Sequence, residues 1–330
     1  MRAVFLDFDT VGPGDIDTAP LLQHLPELEL YAHTSADQVA ERIAGAEIVL
    51  INKVRLDAGI LSRAEGLRLV CLAATGTDNV DIVAAREHGV AVCNIRDYCT
   101  PSVVQHVFTL ILALTSHVFE YRELLRGRAW ADSTQFCLLD FPIRELDGKT
   151  LGIVGLGALG HAVASVGAAF GMRILAAQRP YRDANARTPA SRVEPMDGIQ
   201  RVSFDELLEN ADIVSLHCPL TAETENLIDA DALTRMRADA LLINTARGGL
   251  VESDALVKAL RQGEIAGAGI DVLRQEPPVG PEPLVDVNLP NLIVTPHIAW
   301  AARESRQRAL DEMGTNIGAF LRGEARNRIT

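Results

Sequence analysis

This chain has few cysteines and no excess of positive charge, and each of these features argues against a class of protein. The five cysteines are odd in number and form no CxxC pair, which argues against a disulfide framework or a zinc site and is typical of reduced cytosolic thiols. The 31 basic residues are outnumbered by 44 acidic ones, so the formal net charge is -13. Sequence-independent binding of nucleic acid needs a basic face, and we do not expect it here.

Signals for export or membrane insertion are also missing from the sequence. The first nine residues contain an apolar run that is too short for a secretory signal and is interrupted by acidic residues. Residues 151–172 are apolar and long enough to cross a bilayer, but six glycines and His161 make them poor material for a membrane helix. We therefore expect a cytoplasmic protein. Its 330 residues are enough for two domains.

A glycine-rich stretch, GLGALG at residues 155–160, organises the second half of the chain. It follows a predicted buried strand at 151–154 and precedes an apolar helical run at 162–170. In this context Gly155 would allow a tight turn, Gly157 would let the backbone approach a pyrophosphate, and Gly160 would let the helix pack on its strand. The amides at the start of the helix would then face the phosphates. The spacing therefore predicts a dinucleotide site.

Short apolar runs alternate with helix-like segments on both sides of this stretch, which predicts parallel sheets covered on both faces. The other predicted strands lie at 4–8, 28–31, 48–51, 69–72, 90–92, 173–177, 213–216, 241–244, 266–270 and 292–294. The other predicted helices lie at 20–24, 36–43, 57–63, 80–88, 204–209, 230–236, 253–261 and 303–322. A long helix should begin at Thr100 and run to about residue 126. Residues 127–146 should be irregular, and residues 179–200 should form a surface loop.

These elements predict an α/β fold of two doubly wound, Rossmann-like units, the second inserted in the first. Residues 1–99 and 300–330 would form a flavodoxin-like substrate-binding domain, and residues 100–299 a dinucleotide-binding Rossmann domain. Ligands of open parallel sheets bind at the carboxyl ends of the strands. The two sheets should therefore face each other across a cleft, with hinges near residues 94–101 and 296–303.

Polar residues that could carry chemistry follow three predicted strands of the second domain. Arg247, Glu276 and His297 should meet at one edge of the sheet. Arginine binds a carboxylate through two charge-assisted hydrogen bonds, histidine can transfer a proton near neutral pH, and a neighbouring carboxylate favours the charged imidazole. Taken singly, each has a structural alternative: a solvated arginine, an acid on a surface loop, or a structural histidine. Their co-location favours a catalytic site. The histidines that we interpret as structural are His88, His106, His117 and His217.

The sequence motifs together resemble the D-isomer-specific 2-hydroxyacid dehydrogenase family over essentially the whole chain. They are GLGALG at 155–160, LHCPLT at 216–221, NTARGG at 244–249, GIDVLRQEP at 269–277, PHIA at 296–299 and AATGTDNVD at 73–81. The dipeptide at 105–106 and the HIAW segment at 297–300 are similar to the glycerate dehydrogenase (hydroxypyruvate reductase) branch. The resemblance implies reversible hydride transfer between nicotinamide C4 and C2 of a small 2-oxo acid, either hydroxypyruvate/D-glycerate or glyoxylate/glycolate.

The resemblance also implies roles for individual residues, and it implies no metal. Arg247 should bind the substrate carboxylate and polarise the C2 oxygen, aided by backbone amides near Thr75 and Gly76. His297 should exchange a proton with the C2 oxygen, while Glu276 keeps His297 charged and oriented. Asp271 should contact the nicotinamide carboxamide. The full set implied to contact the cofactor is Gly155, Gly157, Ala158, Leu159, Gly160, Gln178, Arg179, Cys218, Thr245, Ala246, Asp271 and Val104.

One position departs from the pattern of NAD-specific enzymes. The acidic residue expected at the end of the strand at 173–177, where it would bind the ribose hydroxyls, is replaced by Gln178 and Arg179. Without that acid nothing there repels a 2′-phosphate, and Arg179, together with Arg182, could bind one. We therefore expect NADP(H) to be slightly favoured. NAD(H) is the alternative if Gln178 binds the ribose hydroxyls.

Two other functions remain open on the sequence. Lys53 and Arg55 could accept a phosphate, which leaves a phosphoglycerate dehydrogenase-like enzyme as an alternative. A non-catalytic nicotinamide-sensing protein, like the transcriptional co-repressors that share this scaffold, is disfavoured because no added peptide- or DNA-binding segment is apparent. A formate dehydrogenase is disfavoured because we expect such an enzyme to have glutamine at the position where this chain has Glu276.

The expected partner is a small 2-oxo or 2-hydroxy acid, and neither nucleic acid nor a membrane. We also expect a homodimer formed through the helix at 100–126. The aromatic residues that could pack on the partner subunit, or instead anchor the 127–146 segment on its own domain, are Trp130, Phe136 and Phe141.

Overall fold

The computed structural model describes residues 1–178 and 199–330, which form two compact units. Unit 1 consists of Met1–Cys99 and Trp300–Thr330, and unit 2 of Thr100–Ala299. Each unit is built around one sheet in which every pair of neighbouring strands is parallel. The predicted fold class, two parallel α/β units with the second inserted in the first, is therefore confirmed.

The regular elements are short strands connected by helices. The strands are β1 (Ala3–Phe5), β2 (Glu29–Leu30), β3 (Ile48–Ile51), β4 (Leu69–Leu72), β5 (Ala91–Cys93), β6 (Thr150–Val154), β7 (Arg173–Ala177), β8 (Ile199–Val202), β9 (Ile213–Leu216), β10 (Leu241–Asn244), β11 (Gly267–Ile270) and β12 (Leu292–Val294). The α-helices are α1 (Ala19–Leu22), α2 (Val39–Ile43), α3 (Ala58–Leu61), α4 (Ile82–Glu87), α5 (Thr100–Ser116), α6 (Val118–Arg126), α7 (Ala158–Ala169), α8 (Phe204–Asn210), α9 (Ala230–Arg235), α10 (Ser253–Gln262), α11 (Pro283–Asp286) and α12 (Arg303–Leu321).

Unit 1 has a five-stranded sheet in the order β2-β1-β3-β4-β5. Its central strands β3 and β4 are apolar and buried at every position, because helices cover both faces of the sheet. Leu310 and Ile317 of α12 are fully buried in the core on one face, and the core on the other face contains Ile43 of α2 and Ala85 of α4. The end of the chain extends the edge at β5, where the Ile329 amide donates to the Val92 carbonyl.

Unit 2 has a seven-stranded sheet in the order β12-β11-β10-β9-β6-β7-β8. The chain runs outward from β6 to β7 and β8, and then returns to β9 on the other side of β6. This reversal between β6 and β9 is a topological switch point, and the crevice at the carboxyl ends of the strands there is where doubly wound sheets bind ligands. The GLGALG stretch follows β6 and therefore lies at this position.

Several element boundaries differ from the sequence-based expectations. The single helix expected from Thr100 to about residue 126 is wrong, because α5 and α6 are separated at His117, which has a φ of +50°. The two helices are bent by 55°, and among the described residues no single helix has the length and composition of a membrane span. Strand β8 begins at Ile199, so residues 199 and 200 belong to a strand and not to the predicted loop. The rest of that loop, 179–198, lies outside the described residues.

Candidate active site

The turn after β6 is built from the backbone of Gly155 against the segment that follows β9. Gly155 has a φ of +100°, a conformation that side chains other than glycine rarely adopt. A Cβ atom on this residue would lie 2.5 Å from the Cys218 amide nitrogen and 2.6 Å from the His217 carbonyl carbon. Only glycine therefore allows β6 and β9 to approach this closely at the switch point.

The start of α7 is arranged by the other two glycines. A Cβ atom on Gly160 would lie 2.2 Å from the Gly155 carbonyl oxygen, so the helix and the turn are in close contact. Gly157 is the N-cap residue of α7, where no side chain caps the helix, and a Cβ atom there would meet no atom within 4 Å. The backbone amides of the first turn, which includes Ala158 and Leu159, therefore lie next to open space, and the helix dipole favours an anion there. This arrangement fits a pyrophosphate.

The segment after β10 lies at the same edge of the sheet, because Asn244 pairs with Leu216 of β9, which pairs with Val154 of β6. The Ala246 amide donates to Asn244 Oδ1 at 3.0 Å, and Asn244 Nδ2 donates to the Arg247 carbonyl at 2.9 Å, which fixes the course of the chain. The Thr245 hydroxyl is buried and has no hydrogen-bond partner among the described residues. A buried polar atom of this kind normally has a partner. The bare helix start and this hydroxyl both fit a bound dinucleotide, with Gly157 and Thr245 among the residues that would hold it.

His217 is the first residue after β9 and lies at the switch point. Its amide donates to the Val154 carbonyl at 2.7 Å, and its Nε2 lies 2.9 Å from the Ser215 hydroxyl. Burial of the ring lowers the pKa of His217 from 6.5 to about 4, so the imidazole is neutral at pH 7. A neutral ring here is consistent with the structural role expected for this histidine.

Of the residues expected to contact the ribose or a 2′-phosphate, the structure describes Gln178. Gln178 is exposed at the end of β7, and its amide donates to the Val202 carbonyl of β8 at 2.7 Å. Arg201 on β8, an exposed cation that the sequence interpretation did not consider, pairs with Ala176 of β7. Burial first, and then the positive charge of Arg201, lower the pKa of His161 on α7. The two arginines proposed for a 2′-phosphate lie outside the described residues; they are Arg179 and Arg182. Val104 is half-buried on α5.

Glu276 and His297 are in direct contact. His297 Nδ1 lies 2.6 Å from Glu276 Oε2, while Glu276 Oε1 accepts a hydrogen bond from the Leu273 amide at 2.8 Å. Both side chains remain partly exposed, at 25% for His297 and 34% for Glu276. A carboxylate at Nδ1 selects the tautomer or charge state with a proton on that nitrogen and directs Nε2 outward. The pair therefore has the arrangement of an oriented acid–base group.

Asp271, the first residue after β11, holds the segment that carries His297. Its side chain is fully buried, and its oxygens accept hydrogen bonds from the Thr295 hydroxyl at 2.5 Å and from the Ile298 and Ala299 amides at 2.9 Å. Burial is the largest influence and would raise the pKa of Asp271, but hydrogen bonds from His106, Thr295 and the two amides outweigh it and lower the pKa. Asp271 is thus an anion whose contacts in this structure are with its own chain.

Arg247 follows the neighbouring strand β10. Strands β10, β11 and β12 are paired in register, so Asn244, Ile270 and Val294 lie side by side at the carboxyl edge. A Cβ atom on Gly248 would lie 2.0 Å from the Leu273 carbonyl carbon, so the backbone next to Arg247 touches the loop that leads to Glu276. The structure thus brings Glu276 and His297 together directly, and it places Gly248, next to Arg247, beside the loop that leads to Glu276.

The predicted substrate loop lies in unit 1 after β4. The Thr75 hydroxyl donates to the Ile95 carbonyl at 2.9 Å, and Asn94 Nδ2 donates to the Thr75 carbonyl at 2.7 Å. These contacts fix Thr75 and leave the following residue, Gly76, half-exposed. Neither Asn94 nor the contact between His106 and Asp271 is among the expectations from the sequence. Both require a fold that brings distant segments together, and no local motif signals them.

Comparison with protein families identifies the second unit. Residues 108–299 match the family model for the NAD-binding domain of D-isomer specific 2-hydroxyacid dehydrogenases. The chain is 44% identical to a glycerate dehydrogenase of Methylorubrum extorquens over 327 residues, covering 99% of this chain and 98% of the relative. It is 37% identical to a hydroxypyruvate reductase of Blautia hydrogenotrophica over 330 residues, covering 99% of both.

Solved structures share this fold over the full length of the chain. The chain matches the crystal structure of a Thermus thermophilus protein with a TM-score of 0.85 and 35% identity, covering 100% of both chains. It matches an acyclic imino acid reductase in complex with NADPH and D-Arg with a TM-score of 0.84 and 25% identity, again covering 100% of both chains. The family model and the relatives together establish that this chain belongs to the D-isomer specific 2-hydroxyacid dehydrogenase family.

Proposed function

We propose that this enzyme interconverts hydroxypyruvate and D-glycerate, or glyoxylate and glycolate, with NAD(P)(H) as the cofactor. The observation that carries the proposal is the Glu276–His297 pair, with 2.6 Å between Oε2 and Nδ1, in a member of this dehydrogenase family. The names of the two relatives support the substrate class. The nicotinamide, when bound, donates or accepts the hydride. The protein must orient the two reactants and stabilise the charge that develops on the substrate.

His297 is proposed to exchange a proton with the C2 oxygen of the substrate. Its Nδ1 is occupied by Glu276, so Nε2 is the nitrogen that would face the substrate. Glu276 would stabilise the imidazolium and keep the ring in one orientation, since its other oxygen is fixed by the Leu273 amide. In the reduction direction His297 gives its proton to the developing alkoxide, and in the oxidation direction it accepts that proton.

Arg247 is proposed to bind the carboxylate of the substrate and to polarise the C2 oxygen. A guanidinium can form two parallel charge-assisted hydrogen bonds with a carboxylate, and this fixes the orientation of a small substrate. The backbone amides near Thr75 and Gly76 are proposed to complete the carboxylate site. The substrate-binding residues of the proposal are therefore Thr75, Gly76, Arg247 and His297.

We infer that NADP(H) is slightly favoured over NAD(H). The position after β7 holds Gln178 and not the acidic residue of NAD-specific enzymes, and Arg201 adds an exposed positive charge on the strand next to β7. The test compares kcat/KM for NADPH and NADH in the wild type and in Gln178→Asp. The acid should move the preference toward NADH by repelling a 2′-phosphate. A strong NADH preference in the wild type would contradict the inference.

We also infer a homodimer formed through α5, α6 and the 127–146 segment. Phe136 is 92% exposed and Leu139 is 81% exposed, which is unusual for side chains of this size. Phe141, in contrast, packs on its own unit, with its ring 5.3 Å from that of Tyr121 and 5.5 Å from that of His117. Size-exclusion chromatography with light scattering should give the mass of a dimer, and a monomer would refute the inference.

The experiment that tests the proposed reaction is a substrate panel. Hydroxypyruvate, glyoxylate, pyruvate, 3-phosphohydroxypyruvate and a longer 2-oxo acid are each offered with NADPH and with NADH. We expect the highest kcat/KM with hydroxypyruvate or glyoxylate. A preference for the phosphorylated acid would favour the phosphoglycerate dehydrogenase alternative, and cofactor binding without turnover of any acid would favour a nicotinamide sensor.

A further inference from the structure

His106 of α5 reaches the segment that carries His297. Its Nε2 lies 2.9 Å from the Thr295 hydroxyl and 3.4 Å from Asp271 Oδ1, and its side chain is 15% exposed. A second residue of the same helix, Ser102, donates to the Ala299 carbonyl at 2.6 Å. Helix α5 is therefore attached to both ends of the short segment 295–299.

The segment needs this attachment because His297 has an unfavourable backbone conformation. Its φ is +55°, in the left-handed region that costs free energy for a residue other than glycine. Such a conformation persists only where the surroundings fix it. The His297 amide donates to the Asp271 carbonyl at 2.7 Å and to the Thr295 carbonyl at 3.0 Å, and the Asp271 carboxylate accepts from the next two amides.

The direction of the hydrogen bonds assigns the proton on His106. The Thr295 hydroxyl has one hydrogen, which it donates to Asp271 Oδ1 at 2.5 Å. The Thr295 oxygen must then accept from His106, so Nε2 of His106 carries a proton. The result is a directed chain from His106 through Thr295 to Asp271, in which each group has one role.

We propose that His106 is a positioning residue that fixes the orientation of His297 through Thr295 and Asp271. The proposal rests on the proposed function only for the role of His297. It predicts that a donor at the position of Nε2 is required, and that histidine itself is not. Glutamine can place its amide nitrogen close to that position, whereas leucine fills similar space without a donor.

The kinetic test compares His106→Gln with His106→Leu. His106→Leu should lower kcat for hydroxypyruvate reduction about 10- to 100-fold, because small displacements of a catalytic group are costly. The KM for the cofactor should change little, and His106→Gln should recover most of kcat. Thr295→Val removes the hydroxyl that links His106 to Asp271 and keeps the shape of the side chain, so it should resemble His106→Leu. It provides the test if His106→Leu fails to fold.

A spectroscopic readout separates this proposal from the proposed function. The proton between His297 Nδ1 and Glu276 should give a downfield ¹H NMR signal, assigned by its loss in His297→Gln and Glu276→Gln. We expect this signal in the wild type and in His106→Gln, and its broadening or loss in His106→Leu. This measurement needs no turnover, so it tests the positioning role even if the wild type reduces none of the acids in the panel.

The matched control is His88→Leu, which removes an exposed histidine at the end of α4 in unit 1. It should leave both kcat and the downfield signal unchanged. Equal kcat values and equal NMR signals for folded His106→Leu, folded Thr295→Val and the wild type would overturn the proposal. Equal losses in His106→Gln and His106→Leu would overturn the requirement for a donor at Nε2.

Discussion

Two neighbouring parts of the unit 2 sheet edge are built in opposite ways. At the ends of β6 and β9 the site is made by the absence of side chains, since Gly155 touches the backbone of Cys218 and Gly157 leaves open space. At the ends of β10 to β12 it is made by side chains that bond to one another, with Asp271 holding the segment of His297 and Glu276 holding its ring. The first arrangement suits the binding of a phosphate by amides, and the second suits the orientation of reacting groups.

Because the two parts are built differently, substitutions in each should separate binding from catalysis. Changes at the glycine part should weaken dinucleotide binding and leave the chemistry of bound complexes largely intact. Changes at the side-chain part should lower kcat, or kcat/KM for the acid, and leave dinucleotide binding largely intact.

After His297→Gln, which is described last, Arg247→Leu should have the largest effect. Loss of the charged pair with the substrate should lower kcat/KM for hydroxypyruvate about 10²- to 10³-fold. Dinucleotide affinity, measured by isothermal titration calorimetry, should stay near the wild-type value. Arg274→Leu is the matched control, because Arg274 is an exposed arginine of the adjacent loop that pairs with Glu225. Unchanged kcat/KM in Arg247→Leu would remove this residue from the mechanism.

Glu276→Gln should have the next largest effect. Glutamine keeps the shape and one acceptor but loses the charge that stabilises the imidazolium, so kcat should fall about 10- to 100-fold at pH 7. Steady-state kinetics at saturating cofactor provide the measurement, and Glu282→Gln, at a half-buried acid of the same loop region that caps α11 and keeps an acceptor as glutamine, provides the control. If both variants had the wild-type kcat, Glu276 would be only a structural partner of His297.

Gly157→Ala should affect the other part of the edge. A Cβ atom there has open space, so the melting temperature should not change, but the methyl group would keep a pyrophosphate from the helix start. We expect about a 10-fold rise in the dinucleotide Kd, equivalent to about 1.4 kcal/mol. Gly155→Ala should instead destabilise the fold, because its φ of +100° and its backbone contacts exclude a side chain. Equal melting temperatures for both variants would contradict this difference.

The smallest expected effect concerns His217, between the two parts. Its pKa is lowered from 6.5 to about 4, so between these pH values the unfolded chain binds a proton that the folded chain does not. Stability from this group is therefore lost as the pH falls from about 6.5 to about 4. The decrease in melting temperature from pH 7 to pH 5 should be about 2–4 °C smaller in His217→Gln than in the wild type. An equal decrease would contradict the burial of a neutral ring, and His88→Gln is the control.

The regular parts of the fold could be predicted because local patterns determine them. Apolar runs such as 48–51 and 213–216 coincide with β3 and β9, and the GLGALG stretch follows a strand and leads into a helix as expected. The helix begins at Ala158, inside the stretch, and not at the expected residue 162. Strand β8 was missed because the sequence before it is rich in arginine, proline and aspartate, and only its pairing with β7 makes it a strand. The break at His117 has no glycine or proline signal, and stacking of its ring on Phe141 is a tertiary contact.

The candidate site could be predicted as a set of residues, but not as a network. Arg247, Glu276 and His297 are each marked by a motif at the end of a strand. The contact of His106 with Thr295 joins residues 189 positions apart, and nothing near residue 106 indicates it. The histidine that we interpreted as structural is thus the residue for which the structure adds most.

The most direct test of the central claim is the effect of His297→Gln on hydroxypyruvate reduction, measured together with dinucleotide binding. We expect kcat to fall about 10²- to 10⁴-fold while the Kd of the cofactor stays near the wild-type value. A wild-type kcat in this variant would contradict the role of His297 as the group that exchanges a proton with the substrate.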